Sequence, residues 1–160
     1  MSPNGAQPSI MIVDDEEMVI ASIKAFLQLE TDYAVHGFTD PEEAARFAEG
    51  QPVDVAVSDY LMPKMNGIQL LARIKEKQPE ASRVLLTGHA DKQSAIQAIN
   101  QVSLFQYLEK PWDNAQLLLV IQSGAERARL FRELRTKVEQ LDSANSSLKD
   151  VQKRLLEAFL

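Results

Sequence analysis

A chain of 160 residues is long enough for one domain of ordinary size, with about 35 residues to spare. Its composition, 45% hydrophobic and 25% charged, matches a globular protein and excludes a disordered chain. No segment reaches the ~20 apolar residues of a membrane span, and the lack of cysteine excludes disulfides and thiolate metal sites.

The net charge of −6 is unevenly distributed along the chain. Residues 1–125 carry 17 acidic and 9 basic side chains, whereas residues 126–160 carry 6 acidic and 8 basic ones. An acidic body argues against direct nucleic-acid binding, because neutralising phosphates requires a basic face. Residues 1–7 have neither the basic start nor the apolar stretch of a secretory signal. We therefore expect a short disordered lead-in and a cytoplasmic protein.

Five short apolar or β-branched runs follow, separated by segments with apolar residues at helical spacing. Strict alternation of strands and helices predicts an α/β domain, with a doubly wound parallel sheet and helices on both faces. Two helix starts are marked, by Asp40 before Pro41 and by Asp113 before Asn114. The predicted strands cover residues 9–13, 33–38, 53–58, 83–86 and 104–108.

Polar side chains stand at the ends of four of these predicted strands. Asp14 and Asp15 follow the first, Asp59 the third, Thr87 the fourth and Lys110 the fifth. Because the carboxyl ends of parallel strands meet at one edge of a sheet, these groups are expected to converge. Two acids, a hydroxyl and an ammonium around Asp59 predict a metal-dependent phosphoryl acceptor.

Mg²⁺ is the expected cation, because it takes one or two carboxylates and keeps several waters. Asp14, Asp15 and Asp59 are the predicted acidic ligands, with the backbone carbonyl of Leu61 as a further one. Each residue also has a plain structural explanation. Asp14 and Asp15 can simply cap the next helix, and Thr87 can belong to a turn that continues with Gly88. Lys110 can be an ordinary solvent-exposed lysine. Their joint occurrence in strand order favours the site.

These residues resemble the receiver domain of bacterial two-component response regulators, over roughly residues 8–125. The resemblance includes Met62-Pro63 and Asn66-Gly67 after Asp59, and Lys110-Pro111. It implies a flavodoxin-like fold with strand order 2-1-3-4-5, a sensor histidine kinase as phosphodonor and a cis peptide before Pro111.

The resemblance also implies individual roles. Leu61 and His89 occupy places that tune phosphoryl lifetime, and Trp112 is weakly associated with receivers that drive output domains through a helix. An aromatic covering the sheet edge is the alternative for Trp112, and a surface histidine for His89. The principal implied roles are phosphoacceptor for Asp59, Mg²⁺ ligands for Asp14 and Asp15, switch residues for Thr87 and Tyr107, and phosphoryl contact for Lys110.

Residues 126–160 differ in composition from the rest of the chain, because they lack proline and glycine and are rich in Glu, Arg, Lys, Gln and Leu. Apolar residues recur three and four positions apart, which predicts a helical extension forming a parallel coiled-coil homodimer. Asn145 favours a parallel coiled coil of two helices, because its amide can pair with the amide of the same residue in the partner helix. An amphipathic helix packing on its own domain is the alternative. The predicted seam includes Phe131, Leu134, Val138, Leu141, Asn145, Leu148, Gln152, Leu155 and Phe159.

The leading functional hypothesis is a phosphorylation-dependent switch that passes the state of Asp59 through the paired helix to an output domain or partner absent from this chain. Such a chain is not an enzyme beyond its own phosphoryl transfer and slow autodephosphorylation. A phosphatase with an aspartate nucleophile is a second hypothesis, weakened because Leu61 stands where such enzymes place an acid. A constitutive dimeric scaffold with a vestigial pocket is a third.

Overall fold

The computed structural model describes residues 7–159, without the side chains of His89, Ala98 and Phe159. Strands and helices alternate along the chain, with one short 3-10 helix at His89–Asp91. The strands are β1 (Ser9–Val13), β2 (Ala34–Phe38), β3 (Val55–Asp59), β4 (Ser82–Thr87) and β5 (Gln106–Glu109). The helices are α1 (Glu17–Glu30), α2 (Pro41–Gly50), α3 (Gly67–Lys77), α4 (Lys92–Gln101) and α5 (Asn114–Phe159).

The five strands form one parallel sheet in the order β2-β1-β3-β4-β5. This confirms the predicted doubly wound fold and its strand order. Asp59, the last residue of β3, lies opposite Leu86 of β4, and Thr87 lies opposite Glu109 of β5. The carboxyl ends of the strands therefore bring the predicted site residues to one edge of the sheet.

Alternate residues of the central strands point to two core layers, as expected for a sheet buried on both faces. Ile10 and Ile12 of β1 pack in the layer that contains Ile23 of α1 and Leu117 of α5. Met11, between them, packs in the other layer with buried residues of α2 and α3. The sheet is thereby held from both sides, which fixes the strand ends that carry the polar groups.

Both predicted helix starts are confirmed by hydrogen bonds. The Asp40 carboxylate accepts a bond of 3.0 Å from the Glu42 amide, and Asp113 accepts one of 2.8 Å from Ala115. A third start, at α3, is additional to the two predicted ones and has a full capping box between Asn66 and Gln69.

The fifth strand begins two residues later than predicted, at Gln106. Arg83 explains the delay. Its guanidinium donates bonds of 2.8 Å to the Val102 carbonyl and 3.2 Å to the Ser103 carbonyl. Ser103 has a positive φ of 51°, so the chain turns here before it can extend.

The chain divides into two units between Arg129 and Leu130. The predicted boundaries, 8–125 for the domain and 126–160 for the extension, stay predictions. The predicted lead-in, residues 1–7, lies outside the described residues except for Gln7. Within the part of the chain that the structure describes, we find no helix both long and apolar enough to cross a lipid bilayer.

Candidate functional site

Three carboxylates meet at the carboxyl edge of the sheet. Asp14 and Asp15 follow β1, Asp59 ends β3, and one oxygen of each lies within 4.8 Å of the others. Asp14 and Asp59 are buried, whereas Asp15 is exposed. Oxygen donors this close, open to solvent on the Asp15 side, fit a divalent cation that keeps several waters. The donor set therefore suits Mg²⁺.

Lys110 joins two of these carboxylates. Its Nζ lies 3.1 Å from Oδ1 of Asp59 and 3.4 Å from Oδ2 of Asp14. The other oxygen of Asp14 accepts a 2.9 Å hydrogen bond from the Glu16 amide. The structure thus places the ammonium between the strand ends, as the sequence predicted, and it is not simply solvated.

Burial sets the proton affinities of the site. It raises the pKa of Asp14, and repulsion by Asp59 adds to this, against the opposing effects of the Glu16 amide and Lys110. Burial likewise raises the pKa of Asp59, while its bond to Lys110 lowers it. For Lys110, burial acts to lower the pKa, but the bond to Asp59 and the charge of Asp14 outweigh it, so the pKa is raised. Burial is therefore the main cause of the raised pKa values of Asp14 and Asp59, and repulsion between carboxylates contributes less.

The loop after β3 is held by a close backbone contact at Gly67. The Gly67 amide donates a 2.9 Å bond to the Tyr60 carbonyl. A Cβ at this position would lie 2.3 Å from the Asp59 carbonyl oxygen, closer than atoms approach without displacement. Only glycine therefore lets α3 start so near the candidate phosphoacceptor.

The two predicted switch residues lie on adjacent strands. Thr87, at the end of β4, is fully buried, and its hydroxyl lies 3.5 Å from the Leu108 carbonyl. Tyr107 of β5 is half-buried against the core layer that includes Leu85, its neighbour across the strands. Their predicted roles in switching stay predictions.

Three further predicted residues, Leu61, His89 and Trp112, each come two positions after a residue of the site. Leu61, two residues after Asp59, has a side chain that is 60% exposed. Trp112 and Lys110 line an open groove together with Glu16 and Val19. His89 starts the short 3-10 helix, and its side chain lies outside the described residues. The peptide bond between Lys110 and Pro111 is cis, as the resemblance implied.

Two residues of structural importance, Gly67 beside the site and Arg83 at the amino end of β4, do not stand out in the sequence. In the sequence, Gly67 appears only as part of the family motif. The sequence indicates only that Arg83 starts a strand, yet the residue is 2% exposed and its guanidinium donates four hydrogen bonds to backbone carbonyls. The one available signal is that a charged residue begins an apolar strand run, because such a residue must find hydrogen-bond acceptors if it is buried.

The predicted seam residues are exposed within the single chain. Six of them have exposed side chains, Asn145 and Gln152 are also exposed, and the side chain of Phe159 lies outside the described residues. Leucines this exposed along one helix form an unusual apolar surface. The six are Phe131 at 44%, Leu134 at 58%, Val138 at 47%, Leu141 at 64%, Leu148 at 57% and Leu155 at 54%.

Replacing Asp14 by asparagine is expected to stabilise the protein at neutral pH in the absence of divalent cations. Because the folded-state pKa of Asp14 is raised, the folded protein binds more protons than the unfolded chain above the ordinary value of 3.8. The ionised side chain therefore lowers the free energy of unfolding as pH rises through that window. The asparagine side chain keeps an acceptor for the Glu16 amide, and Lys110 keeps Asp59 as a partner. Thermal melting in chelator should show a higher midpoint for Asp14→Asn, with the gain disappearing near pH 3.

The exposed neighbour provides the control. Asp15→Asn should change melting in chelator much less, because Asp15 is not buried. If Mg²⁺ binds at these carboxylates, both variants should lose most of the stabilisation that it gives. A lower melting midpoint for Asp14→Asn in chelator at neutral pH would contradict the role given to burial.

Comparison with known proteins agrees with this geometry. The response regulator receiver domain matches residues 10–122. The hydrogenase transcriptional regulatory protein HoxA of Bradyrhizobium diazoefficiens is 26% identical over 91% of this chain, which spans only 30% of that protein. The transcriptional regulatory protein FixJ of the same organism is 27% identical over 94% of this chain and 73% of its own length.

A solved structure is also similar. The signal receiver domain of an HD domain-containing protein from Pseudomonas fluorescens Pf-5 is 34% identical, with a TM-score of 0.74. The likeness covers 79% of this chain and 93% of that one. The family match extends from β1 into α5 and takes in every strand end described above. This chain belongs to the response regulator receiver domain family.

Proposed function

We propose that this chain is a phosphorylation-dependent switch whose Asp59 accepts a phosphoryl group from a sensor histidine kinase. The observation that carries the proposal is the position of Lys110, whose Nζ lies 3.1 Å from Asp59 beside the three clustered carboxylates. In the transfer, the bond from phosphorus to the kinase imidazole nitrogen breaks and a bond to an Asp59 oxygen forms. The Lys110 ammonium is placed to offset the charge that gathers on the phosphoryl oxygens.

Asp14, Asp15 and Asp59 would hold Mg²⁺, with the Leu61 carbonyl as the predicted further ligand. When bound, the ion neutralises phosphoryl oxygens and fixes the group in line with the acceptor. Burial raises the pKa values of Asp14 and Asp59, so the ionised form of each side chain is less stable than it is in water. A bound cation would stabilise these ionised forms.

Thr87 and Tyr107 are proposed as the readout. The Thr87 hydroxyl is buried one residue beyond the Asp59 level of the sheet, and its bond to Leu108 is long at 3.5 Å. A phosphoryl oxygen would offer it a better acceptor. Tyr107, half-buried on the next strand, would then follow into the space that Thr87 vacates. Energetically this is a population shift, limited by how much better one state binds the phosphoryl group.

The chain is proposed to hold its phosphoryl group and not to turn over an external phosphomonoester. Leu61, two residues after Asp59, carries no proton donor for a leaving group. Slow loss of the group to water is expected, with Leu61 and His89 as candidate determinants of its lifetime. The hypothesis of a scaffold with a vestigial pocket is disfavoured, because the site is complete. The three carboxylates cluster, and Lys110 forms ion pairs with Asp14 and Asp59.

A second copy of the chain is proposed as the partner of the exposed seam. Leucine fills the d position in four heptads, and Leu141, at 64% exposure, is the most open of the seam side chains. Burying a leucine stabilises by about 1.5–3 kcal/mol. A homodimer along residues 130–159 would remove these side chains from water and join two receivers.

The output is proposed to lie outside these residues. HoxA and FixJ are named as transcriptional regulatory proteins, and this chain spans only 30% of the first. By analogy, the state of Asp59 would be passed to an output domain or partner protein, in the cytoplasm, where regulators of this family act. Direct nucleic-acid contact is not proposed for the acidic receiver.

Phosphoryl uptake tests the proposal. The full chain, incubated with acetyl phosphate and Mg²⁺, is expected to gain the mass of one phosphoryl group, and peptide mapping should locate it on Asp59. Asp59→Asn should gain none, because an amide oxygen forms no acyl phosphate. Asp32→Asn, an exposed acid at the opposite edge of the sheet, should be modified like the unmodified chain. Equal uptake by the Asp59 variant would overturn the assignment.

A further inference from the structure

We propose that two copies of α5 pair in parallel and in register, with Lys137 of each copy facing Asp142 of the other. The pairing rests on the proposed homodimer and specifies how its two chains meet. It uses two charged residues that flank the seam and that have no part in the receiver site. The occupant of the apolar surface is therefore a second copy of this chain.

The heptad positions follow from the seam. With Phe131, Val138 and Asn145 at a, Lys137 occupies a g position and Asp142 the next e position, five residues on. In a parallel two-stranded coil, a g residue lies beside the following e residue of the partner. Lys137 and Asp142 then form two equivalent contacts of opposite charge across the dimer.

Both side chains are available for this contact. Each is exposed on α5, and among the described residues no ion pair joins either to a side chain of its own chain. Arg135 behaves differently, since it lies 3.9 Å from Glu139 one turn further along the helix. The charges at 137 and 142 are thus unmatched until a partner supplies their complement.

The same charges oppose a shift in register. If one helix slides by a heptad, Lys137 of one copy faces Lys149 of its partner, and Lys137 of the partner faces Arg135. Two attractive contacts are replaced by two repulsive ones. A further flanking contact, between Val151 at g and Leu156 at e, is apolar in register, and both side chains are exposed at 49% and 64%.

Charge alone does not decide the direction of the helices. In an antiparallel pair, e positions face each other, and Asp142 would lie near Lys149 of the partner. That arrangement also sets Asn145 opposite Leu148 and Gln152 opposite Leu141, burying an amide against leucine. In the parallel pair each amide meets its own copy and each leucine meets leucine. The buried amides of Asn145 and Gln152 therefore favour the parallel arrangement. The contact between Lys137 and Asp142 favours the in-register alignment.

A charge exchange tests the register, with the dimer dissociation constant of the full chain measured by sedimentation, with and without acetyl phosphate and Mg²⁺. Lys137→Glu and Asp142→Lys alone are each expected to weaken the dimer about tenfold, because two contacts turn repulsive. The double variant should recover most of the affinity. Failure of the double variant to recover it would overturn the proposal.

Matched controls lie on the outer face of the helix. Lys153→Glu at a b position and Asp150→Lys at an f position make the same changes of charge away from the seam. Both should leave the dissociation constant within about twofold of the original value. Equal weakening by these controls would show that overall charge, and not a specific contact, governs the dimer.

Cross-linking tests the direction, since the chain contains no cysteine. Leu141→Cys alone is expected to form a disulfide-linked dimer on mild oxidation, because parallel d positions lie side by side. An antiparallel pair would cross-link only when Leu141→Cys is mixed with Gln152→Cys, and that result would overturn the proposal. Absence of any dimer would remove both this pairing and the proposed homodimer. Phosphoryl uptake at Asp59, measured on the same samples, would still report separately on the receiver.

Discussion

Replacing Gly67 by alanine is expected to destabilise the protein by about 2–3 kcal/mol, because a core contact becomes overpacked. The new methyl group would lie 2.3 Å from the Asp59 carbonyl oxygen and 2.8 Å from Cδ1 of Leu85. The Leu85 side chain can adjust, but the Asp59 carbonyl belongs to the backbone of a central strand. The reduced entropy of the unfolded alanine chain offsets only about 0.4–1 kcal/mol of the cost.

The same substitution should slow phosphoryl uptake. Displacing the Asp59 backbone by a fraction of an ångström moves its carboxylate relative to Lys110, whose Nζ lies 3.1 Å away. Small misplacements of reacting groups have large effects on rate. Urea unfolding and the rate of uptake from acetyl phosphate measure the two effects on one sample.

Gly50 provides a matched control for the glycine substitution. It ends α2, and a Cβ there would meet no atom within 4 Å. Gly50→Ala is therefore expected to leave stability unchanged or slightly raised, and uptake unchanged. Unaltered stability and uptake in Gly67→Ala would show that the loop after β3 relaxes freely and that the contact is unimportant.

Replacing Arg83 by methionine is expected to cost about 2–4 kcal/mol of stability, because it leaves buried carbonyls without a donor. The guanidinium bonds the carbonyls of Pro79, Ala81, Val102 and Ser103, at 2.8–3.2 Å. Burial lowers the pKa of Arg83, and the nearby charge of Arg127 adds to this effect. Methionine keeps most of the aliphatic part of the arginine side chain, so the loss of stability reports mainly on the guanidinium.

The effect of Arg83 should extend to β5, because Val102 and Ser103 precede that strand. Arg73→Met is the matched control, since Arg73 forms a 3.0 Å ion pair with Glu42 in which both side chains are more than 40% exposed. Such pairs contribute about 0–1 kcal/mol. Denaturant unfolding of both variants makes the comparison. Similar losses for the two arginines would contradict the structural role given to Arg83.

The sheet and its polar edge could be predicted because their signals are local and periodic. Apolar runs of four to six residues alternate with helical spacing, so the order of strands and helices follows directly. Parallel strands all end at one edge, so Asp14, Asp59, Thr87 and Lys110 could be brought together without knowing any distance. The strand order came from the family resemblance, because periodicity alone does not rank neighbouring strands.

Other features depend on contacts between residues far apart in sequence. Gly67 is required by the approach of α3 to Asp59, and Arg83 by carbonyls about twenty residues further along the chain. The late start of β5 follows from that second contact. The position of Arg83 at the start of an apolar run is its only local signal, and an exposed strand-end arginine would show the same pattern. The relative weight of burial and repulsion at Asp14 likewise required the folded environment.

The sharing of one ammonium by two acids also sets the charge balance of the site. Three ionised carboxylates and Lys110 leave two uncompensated negative charges at this edge of the sheet. One divalent cation cancels them, whereas a monovalent ion leaves a residual negative charge. The charge balance of the site therefore favours divalent over monovalent cations, whatever their size or coordination geometry. A doubly charged acyl phosphate in place of the Asp59 carboxylate then adds one negative charge to an otherwise balanced centre. The proposed switch would then be a change from electrical neutrality to a single net negative charge at a fixed position.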